Sequence, residues 1–249
     1  MTTLYENEYF EDLRKKEFSR LDEQHHVYLD YTGGNLHPKS LVEEHCKVLN
    51  EGVFGNPHSG NPSSMLSTKL VEAARQKVLE YFNALDYYCV FTQNASASLK
   101  IIGEGYPFNE KSEFLLLADN HNSVNGIREF CAKRGGKVTY VPVDVEDLSI
   151  NSANLESLLN NNLSKELKLF AFPAQSNVSG VKHDLKWIHE AQSKGYDVLL
   201  DAAAYVPTNR LDLTQVKPNF VSLSFYKMFG FPTGIGALLI RKDSFHKIQ

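Results

Sequence analysis

The chain has 249 residues, of which 42% are hydrophobic and 22% are charged, and its formal net charge is −4. These values are typical of a globular protein, and they exclude a strongly basic surface for nucleic acid or for an anionic membrane. No stretch reaches the roughly 18 apolar residues of a membrane span, and the three cysteines form no CxxC pair, so we expect a cytoplasmic protein with no membrane contact, disulfide framework or metal site.

The predicted elements begin with helices and continue as alternating strands and helices. A charged amphipathic helix is predicted over 7–24, a short strand over 27–30, and two further helices over 38–49 and 64–83. Apolar strands are then predicted over 88–92, 114–118, 137–141, 167–172, 197–200, 219–223 and 235–240. Helices are predicted between them over 95–104, 123–134, 154–160 and 185–193. This alternation predicts an α/β fold, a mostly parallel seven-stranded sheet with helices on both faces.

Two residues at neighbouring predicted strand ends have the chemistry needed to hold pyridoxal 5′-phosphate (PLP). Asp201 directly follows the strand over 197–200, and Lys227 follows the strand over 219–223. A lysine amine forms a Schiff base with the cofactor's aldehyde, and a carboxylate pairs with the pyridinium nitrogen so that the ring accepts electrons. The alternatives are a helix N-terminus as the partner of Asp201 and a plain surface position for Lys227.

The segment that contains Lys227 also matches a second motif. Ser224 and Lys227 have the S-x-x-K spacing of penicillin-binding serine acylases, but the chain contains neither Ser-Asp-Asn nor Lys-Thr-Gly. The glycines and the proline that follow Lys227 favour a tight loop that aims the lysine at a ligand.

The loop after the first strand of the sheet is predicted to bind phosphate. The run 92–98 contains small residues and opens a helix, where free N–H groups and the helix dipole attract anions. Asn94 and Ser96 offer side-chain hydrogen bonds to the same phosphate. The alternative for Asn94 is ordinary helix capping.

Three more residues at strand ends fit the remaining parts of such a site. His121 offers an imidazole that stacks on a planar ring or moves protons, with a solvated loop position as the alternative. Asn177 offers an amide for the cofactor's phenolic oxygen, with a plain Asn/Ser/Gly turn as the alternative. Ala203 is small enough to lie flat under the ring.

Taken in order, these motifs resemble those of class V aminotransferases, in particular the cysteine-desulfurase-like domain of molybdenum cofactor sulfurases. The stretch 225–241, FYKMFGFPTGIGALLIR, is the most specific piece, and the likeness runs from about residue 27 to the end of the chain. The resemblance implies fold type I of PLP enzymes and a homodimer. It also implies that Lys227 is the Schiff-base lysine, Asp201 the pyridinium partner and His121 the stacking residue. Asn177 would contact the phenolic oxygen, and the residues near the phosphate would be Ala95, Ser96 and Ser224.

The reaction implied by the resemblance is transfer of sulfur from L-cysteine through a cysteine persulfide, with the molybdenum cofactor as the final acceptor. The chain departs from the desulfurase pattern at Tyr226, where a histidine is common, and at Ala204, where a glutamine is common. We expect residues 1–26 to form an N-terminal helical segment and residues 27–249 to form the PLP-binding large domain. The small C-terminal domain, with its persulfide cysteine and carboxylate-binding arginine, is expected to be absent, and none of the three cysteines matches that persulfide cysteine.

This expected absence predicts little desulfurase turnover by the chain alone, because orientation of the substrate supplies roughly 7–11 kcal/mol in such reactions. Two alternatives remain open at this stage. One is another PLP chemistry on the same scaffold, namely transamination or selenocysteine lyase activity. The other is a non-enzymatic truncated relative that acts as a binding or regulatory partner.

Overall fold

The structure divides into two compact units. The computed structural model describes residues 2–161 and 166–248. The first unit contains the chain up to Ala73 together with Tyr226–Thr233, and the second contains Ala74–Phe225 together with the chain from Gly234 onward. The predicted domain division at residue 27 stays a prediction, and the two ends of the predicted domains, Met1 and Gln249, lie outside the described residues.

The first unit is helical. The predicted helix over 7–24 is in fact two helices. At the break, Arg20 Nη1 donates to Glu17 O at 3.0 Å, and the Leu21 amide donates to Phe18 O instead of to Glu17 O. Its N-terminal part contains the helices α1 (Thr2–Glu17), α2 (Arg20–Glu23), α3 (Lys39–Glu51) and the first part of α4 (Pro62–Tyr81).

The predicted strand over 27–30 is wrong. No described strand pairs with this segment, and Val27 and Leu29 are 85% and 82% exposed. The Tyr28 hydroxyl instead donates to Gly34 O at 2.7 Å and approaches Asp30 O at 3.1 Å. A strand needs a ladder partner for its polar backbone, and this segment is closed locally by a side chain.

The second unit is built on a seven-stranded sheet. Its strands are β1 (Tyr87–Thr92), β2 (Ser112–Leu117), β3 (Lys137–Val141), β4 (Leu167–Pro173), β5 (Asp197–Asp201), β6 (Phe220–Ser224) and β7 (Gly236–Arg241). Their order is β3-β2-β4-β5-β6-β7-β1, and among these described strands β7 runs in the direction opposite to the other six. All seven predicted strands are present, with ends within two residues of the prediction. The mostly parallel sheet is therefore confirmed.

Helices cover both faces of this sheet. Leu116 of β2 shares a core with Leu99 and Ile102, while Phe172 of β4 packs against Trp187 at 5.8 Å between ring centroids. The helices that follow the first strand are α5 (Ala95–Gly105), α6 (Asn122–Asn125), α7 (Ile127–Lys133), α8 (Ser152–Asn161), α9 (Trp187–Ser193), α10 (Phe225–Phe229) and a short 3-10 helix (Lys242–Lys247). The predicted helix over 123–134 is divided at Gly126. Among the described residues, none of these helices, nor any in the first unit, has the length and apolarity to cross a bilayer.

The central strands are buried on both faces. Every residue of β2, β5 and β6 is buried, which explains why these strands read in the sequence as continuous apolar runs rather than as alternating patterns. Polar residues inside or at the ends of such strands must find hydrogen-bond partners. Polar residues at the strand ends that keep a free hydrogen-bonding group are therefore candidates for binding a ligand.

Candidate functional site

Most of the predicted site residues lie at one edge of the sheet. The parallel strands β1, β2, β4, β5 and β6 end at Thr92, Leu117, Pro173, Asp201 and Ser224. Carboxyl ends of parallel strands share an edge, and ligands of open α/β sheets bind beyond it. Direct contacts within the second unit show which of the predicted residues meet there.

The start of α5 is joined to the end of β6. The Ala95 amide donates to Ser224 Oγ at 2.9 Å, across 129 residues of sequence. Asn94 caps the helix, since the Ala97 amide donates to Asn94 Oδ1 at 2.9 Å, so the capping alternative is correct for this side-chain oxygen. No described residue accepts a hydrogen bond from the exposed Ser96 amide. A helix start with a free, accessible N–H suits an anion.

Close packing holds this turn in place. A Cβ atom on Gly236 would stand 2.7 Å from Asn94 Cα, so β7 can pass the turn only because residue 236 is glycine. The Thr92 and Ser98 hydroxyls hydrogen-bond at 2.9 Å across the turn. The turn between β1 and α5 is therefore preformed.

His121 lies on the loop after β2 and caps α6. The Ser123 amide donates to His121 Nδ1 at 3.1 Å, which leaves the proton of the neutral ring on Nε2. The Ser123 hydroxyl lies 2.5 Å from Ser96 Oγ, so the His121 loop contacts the start of α5. The ring is exposed, and a planar ligand has access to it.

Asp201 is a buried carboxylate with one free oxygen. It is 7% exposed, and its Oδ1 accepts from Ser222 Oγ at 3.0 Å and from the Ala203 amide at 3.1 Å. No described residue donates to Oδ2. The alternative partner, a helix N-terminus, is replaced by the single local amide of Ala203. A buried carboxylate with an open oxygen fits a cationic N–H group such as a pyridinium.

Asn177 lies in a tight turn after β4. The Gly180 amide donates to Ser176 O at 3.0 Å, Gly180 has φ +76°, and the Ser176 hydroxyl accepts from the Val178 amide at 3.3 Å. The turn alternative is thus correct for the backbone. Within the described part of the chain the half-buried Asn177 amide makes no hydrogen bond, which leaves it available to a ligand.

A buried pair that the sequence analysis missed lies behind these loops. His183 Nε2 lies 2.8 Å from Asp119 Oδ2, the two side chains are 2% and 9% exposed, and the imidazole stacks on Trp187 at 5.5 Å. Asp119 belongs to the loop that carries His121, and His183 follows the turn that carries Asn177. An acid directly after an apolar strand is the signal that could have identified Asp119. For Ser222, which was also missed, the signal is a serine inside an apolar strand.

Lys227 lies in the first unit, on α10, which begins where β6 ends. The backbone around it is held by Asn35: the Asn35 amide donates to Tyr226 O at 3.1 Å, and Asn35 Nδ2 donates to Met228 O at 2.9 Å. The other predicted site residues thus lie in the second unit, whereas Lys227 and the residues that hold its backbone lie in the first unit.

The three cysteines are thiols outside any disulfide, and their surroundings differ. Cys46 on α3 is exposed, whereas Cys89 on β1 and Cys131 on α7 are buried. Packing therefore explains the presence of Cys89 and Cys131, but not that of Cys46. Burial raises the pKa of the Cys131 thiol to about 11, which keeps it protonated near neutral pH. In the described residues, no group of three or more His, Cys, Asp or Glu side chains is arranged to hold a metal ion.

The comparisons agree with one another. The family model described as aminotransferase class-V matches residues 27–249. The chain is 39% identical over 240 residues to a molybdenum cofactor sulfurase of Caenorhabditis elegans, covering 89% of this chain and 32% of that protein. It is 42% identical over 247 residues to the Homo sapiens molybdenum cofactor sulfurase, covering 92% of this chain and 27% of that protein. The chain therefore spans about a third or less of the length of these relatives.

Solved structures show the same fold. A cysteine desulfurase from Thermococcus onnurineus NA1 superposes with a TM-score of 0.85 at 25% identity, covering 96% of this chain and 58% of that one. The cysteine desulfurase CsdA from Escherichia coli gives 0.76 at 24% identity, covering 95% and 59%. The prediction of fold type I of PLP-dependent transferases is confirmed.

Proposed function

We propose that this chain, which belongs to the class-V aminotransferase family, binds PLP and serves in the transfer of sulfur from L-cysteine. The observation that carries the proposal is the Asp201 carboxylate, buried at the carboxyl end of β5, oriented through Oδ1 and open at Oδ2. β5 pairs with β6, and Lys227 is the third residue after β6. An acid at the end of one strand and a lysine shortly after the neighbouring strand supply the two groups that PLP needs, a partner for the ring nitrogen and an amine for the aldehyde.

Each part of the cofactor has a candidate partner in this chain. Asp201 Oδ2 would accept the ring N–H and keep that proton in place, and Ala203, buried and small, would lie under the ring. Lys227 would hold the aldehyde carbon covalently. His121 would stack on the ring, with Nδ1 held by the Ser123 amide and Nε2 free to exchange a proton. When bound, PLP supplies an electron sink for bonds at the substrate's α-carbon.

The remaining contacts would hold the phosphate and the phenolic oxygen. The free Ser96 amide and the Ser96 and Ser224 hydroxyls would donate to phosphate at the start of α5, where the helix dipole favours an anion. Asn94 and Ala95 would supply the turn and its backbone. The Asn177 amide would donate to the phenolic oxygen.

We propose L-cysteine as substrate and the molybdenum cofactor as the eventual acceptor of its sulfur, in line with the names of the relatives. The buried Cys131, with its raised pKa, is a poor nucleophile, because the thiolate is the reactive form. Cys89 is buried as well, and Cys46 on α3 does not match the persulfide cysteine of the desulfurases. The chain by itself should therefore turn over L-cysteine slowly.

We also propose that the chain forms a homodimer in the cytoplasm. Helix α3 contains no buried residue, and apolar side chains of α3 and α4 are exposed, namely Val48, Leu49, Met65 and Leu70. Apolar surface of this kind needs cover, and a second copy of the chain supplies it. Cysteines that are not joined in disulfides fit a reducing compartment.

The first experiment is titration of the purified chain with PLP, followed by its visible absorption. The chain with PLP should show a visible absorption band that free PLP lacks. Lys227→Ala should abolish this band, whereas the control Lys133→Ala, at an exposed lysine, should keep it. Asp201→Asn should weaken PLP binding, and circular dichroism should show that the variant is still folded. Equal spectra for the chain and for Lys227→Ala would refute the proposal.

The second experiment identifies the chemistry. With L-cysteine and a thiol reductant, sulfide and alanine are the expected products. A keto acid would indicate transamination, and a preference for selenocysteine would indicate a lyase. A PLP-loaded chain that forms none of these products but binds a longer relative would indicate a regulatory partner.

A further inference from the structure

We infer that Asn35 is the positioning residue for Lys227: it holds the backbone on both sides of the lysine and so sets the place of its amine. The inference rests on the proposed function, because the amine matters only if it must meet the cofactor's aldehyde. The contacts that support it lie entirely within the first unit.

Helix α10 cannot hold its own shape. It has five residues, Phe225–Phe229, and helices this short are unstable without outside contacts, because nucleation is costly. Its C-terminal closure is the Gly230 amide, which donates to Tyr226 O at 2.9 Å. The rest of its order must come from tertiary partners.

Asn35 supplies that order at two adjacent points. Its backbone amide donates to Tyr226 O at 3.1 Å, and its Nδ2 donates to Met228 O at 2.9 Å. Tyr226 and Met228 directly flank Lys227. The orientation of the Asn35 amide is set as well, since its Oδ1 accepts from the Leu36 amide at 2.8 Å, which turns Nδ2 toward the helix.

A close backbone approach supports the same arrangement. Gly230 has φ +72°, and a Cβ atom there would stand 2.5 Å from Asn35 O and from Leu36 C. The end of α10 therefore lies directly on the segment that contains Asn35. A lysine on a long flexible side chain reaches a defined point only if its backbone is fixed in this way, and small misplacements of reacting groups cost large factors in rate.

Asn35→Asp is the decisive variant because it keeps the shape of the side chain. The new carboxylate still accepts a hydrogen bond from the Leu36 amide, but it can no longer donate to Met228 O. One of its oxygens then faces the carbonyl oxygen of Met228, and two acceptors repel each other. Asn109→Asp is the matched control: Asn109 is also half-buried, its Oδ1 accepts from the Lys111 amide at 2.8 Å, and its Nδ2 donates to none of the described residues.

Two measurements separate placement of the lysine from general damage. The first is the rate at which PLP becomes fixed to Lys227, read by borohydride reduction and mass spectrometry of the peptide. The second is the affinity for 4′-deoxypyridoxine 5′-phosphate, which lacks the aldehyde and cannot react with the amine. Asn35→Asp should slow covalent fixation by about tenfold, as expected for the loss of one oriented hydrogen bond with added repulsion, and leave the affinity for the analogue within about twofold. Asn109→Asp should change neither.

Each other outcome overturns the inference in a distinguishable way. If Asn35→Asp fixes PLP at the rate of the unchanged chain, Asn35 does not position Lys227. If it loses affinity for the analogue to the same degree as it loses fixation, Asn35 has a general structural role. If the unchanged chain itself never fixes PLP at Lys227, the proposed function fails, and the inference fails with it.

Discussion

Replacing Ser222 by alanine removes one of the two donors that orient the Asp201 carboxylate. Ser222 is fully buried, and its Oγ lies 3.0 Å from Asp201 Oδ1; after the substitution, only the Ala203 amide still donates to that oxygen. A hydrogen bond to a charged group contributes about 1.5–3 kcal/mol. The free energy of unfolding should fall by that amount, which lowers the melting temperature of a domain this size by about 3–12 °C.

Ser98→Ala is the comparison that isolates the effect of charge. Ser98 is equally buried, and its Oγ lies 2.9 Å from Thr92 Oγ1 and 3.4 Å from Asn94 O, so the hydrogen bond lost there is between neutral groups. Such a bond contributes about 0.5–1.5 kcal/mol. Alanine in a helix interior regains roughly 0.5 kcal/mol of that through its helix propensity. The loss for Ser222→Ala should therefore exceed the loss for Ser98→Ala by about 1 kcal/mol or more.

The assay is urea unfolding without PLP, followed by circular dichroism and by tryptophan fluorescence. The comparison holds if the dependence on urea is the same for all three proteins, since a changed slope would indicate a changed unfolded or native state. Equal losses for the two variants, or a smaller loss for Ser222→Ala, would show that Ser222 does not support a charged group. Asp201 would then not be an oriented carboxylate of the kind that a pyridinium nitrogen needs.

Three further predictions concern other parts of the chain. Burial, and next the Asp197 carboxylate, raise the pKa of Tyr106 well above its usual range. Above about pH 10 the unfolded chain therefore binds fewer protons than the folded chain, and the free energy of unfolding falls. Between about pH 8 and about pH 11, the urea midpoint of Tyr106→Phe should fall less than that of the unchanged chain. Iodoacetamide at about pH 8 should modify Cys46 in the folded chain and spare Cys131, and modification of both at similar rates by mass spectrometry would contradict the buried, protonated state of the latter. Gly230→Ala should lower the free energy of unfolding by more than about 1 kcal/mol, because residue 230 has positive φ and no room for a Cβ atom; an unchanged urea midpoint would refute this.

Much of the fold could be read from the sequence because the central strands are apolar throughout. The strands around 114–118, 197–200 and 219–223 are found within two residues of their predicted bounds, since a buried parallel strand leaves a continuous apolar run. The strand predicted over 27–30 failed for the opposite reason. Its apolar pattern suggested pairing, but pairing depends on a partner that local sequence does not reveal.

The site was predictable in its members and not in its contacts. Residues such as Asp201 and Asn177 could be chosen because they follow strands whose carboxyl ends must share an edge. The capping role of Asn94 was also foreseen as an alternative, because capping depends only on residues within one turn. Asp119 and Ser222 stand out in the sequence as polar residues beside or inside apolar strands, but the partners that give them a role, His183 and Asp201, are visible only in the folded chain.

The sequence by itself determined where strands and helices follow one another along the chain and which residue types stand at each strand end. Both follow from local apolar pattern and turn chemistry. Only the tertiary structure decided which of them touch. The bonds from the Ala95 amide to Ser224 and from Asn35 to the carbonyl of Met228 join residues 129 and 193 positions apart. Such contacts depend on the register of paired strands and on the packing of helices over them, and these are properties of the folded chain as a whole.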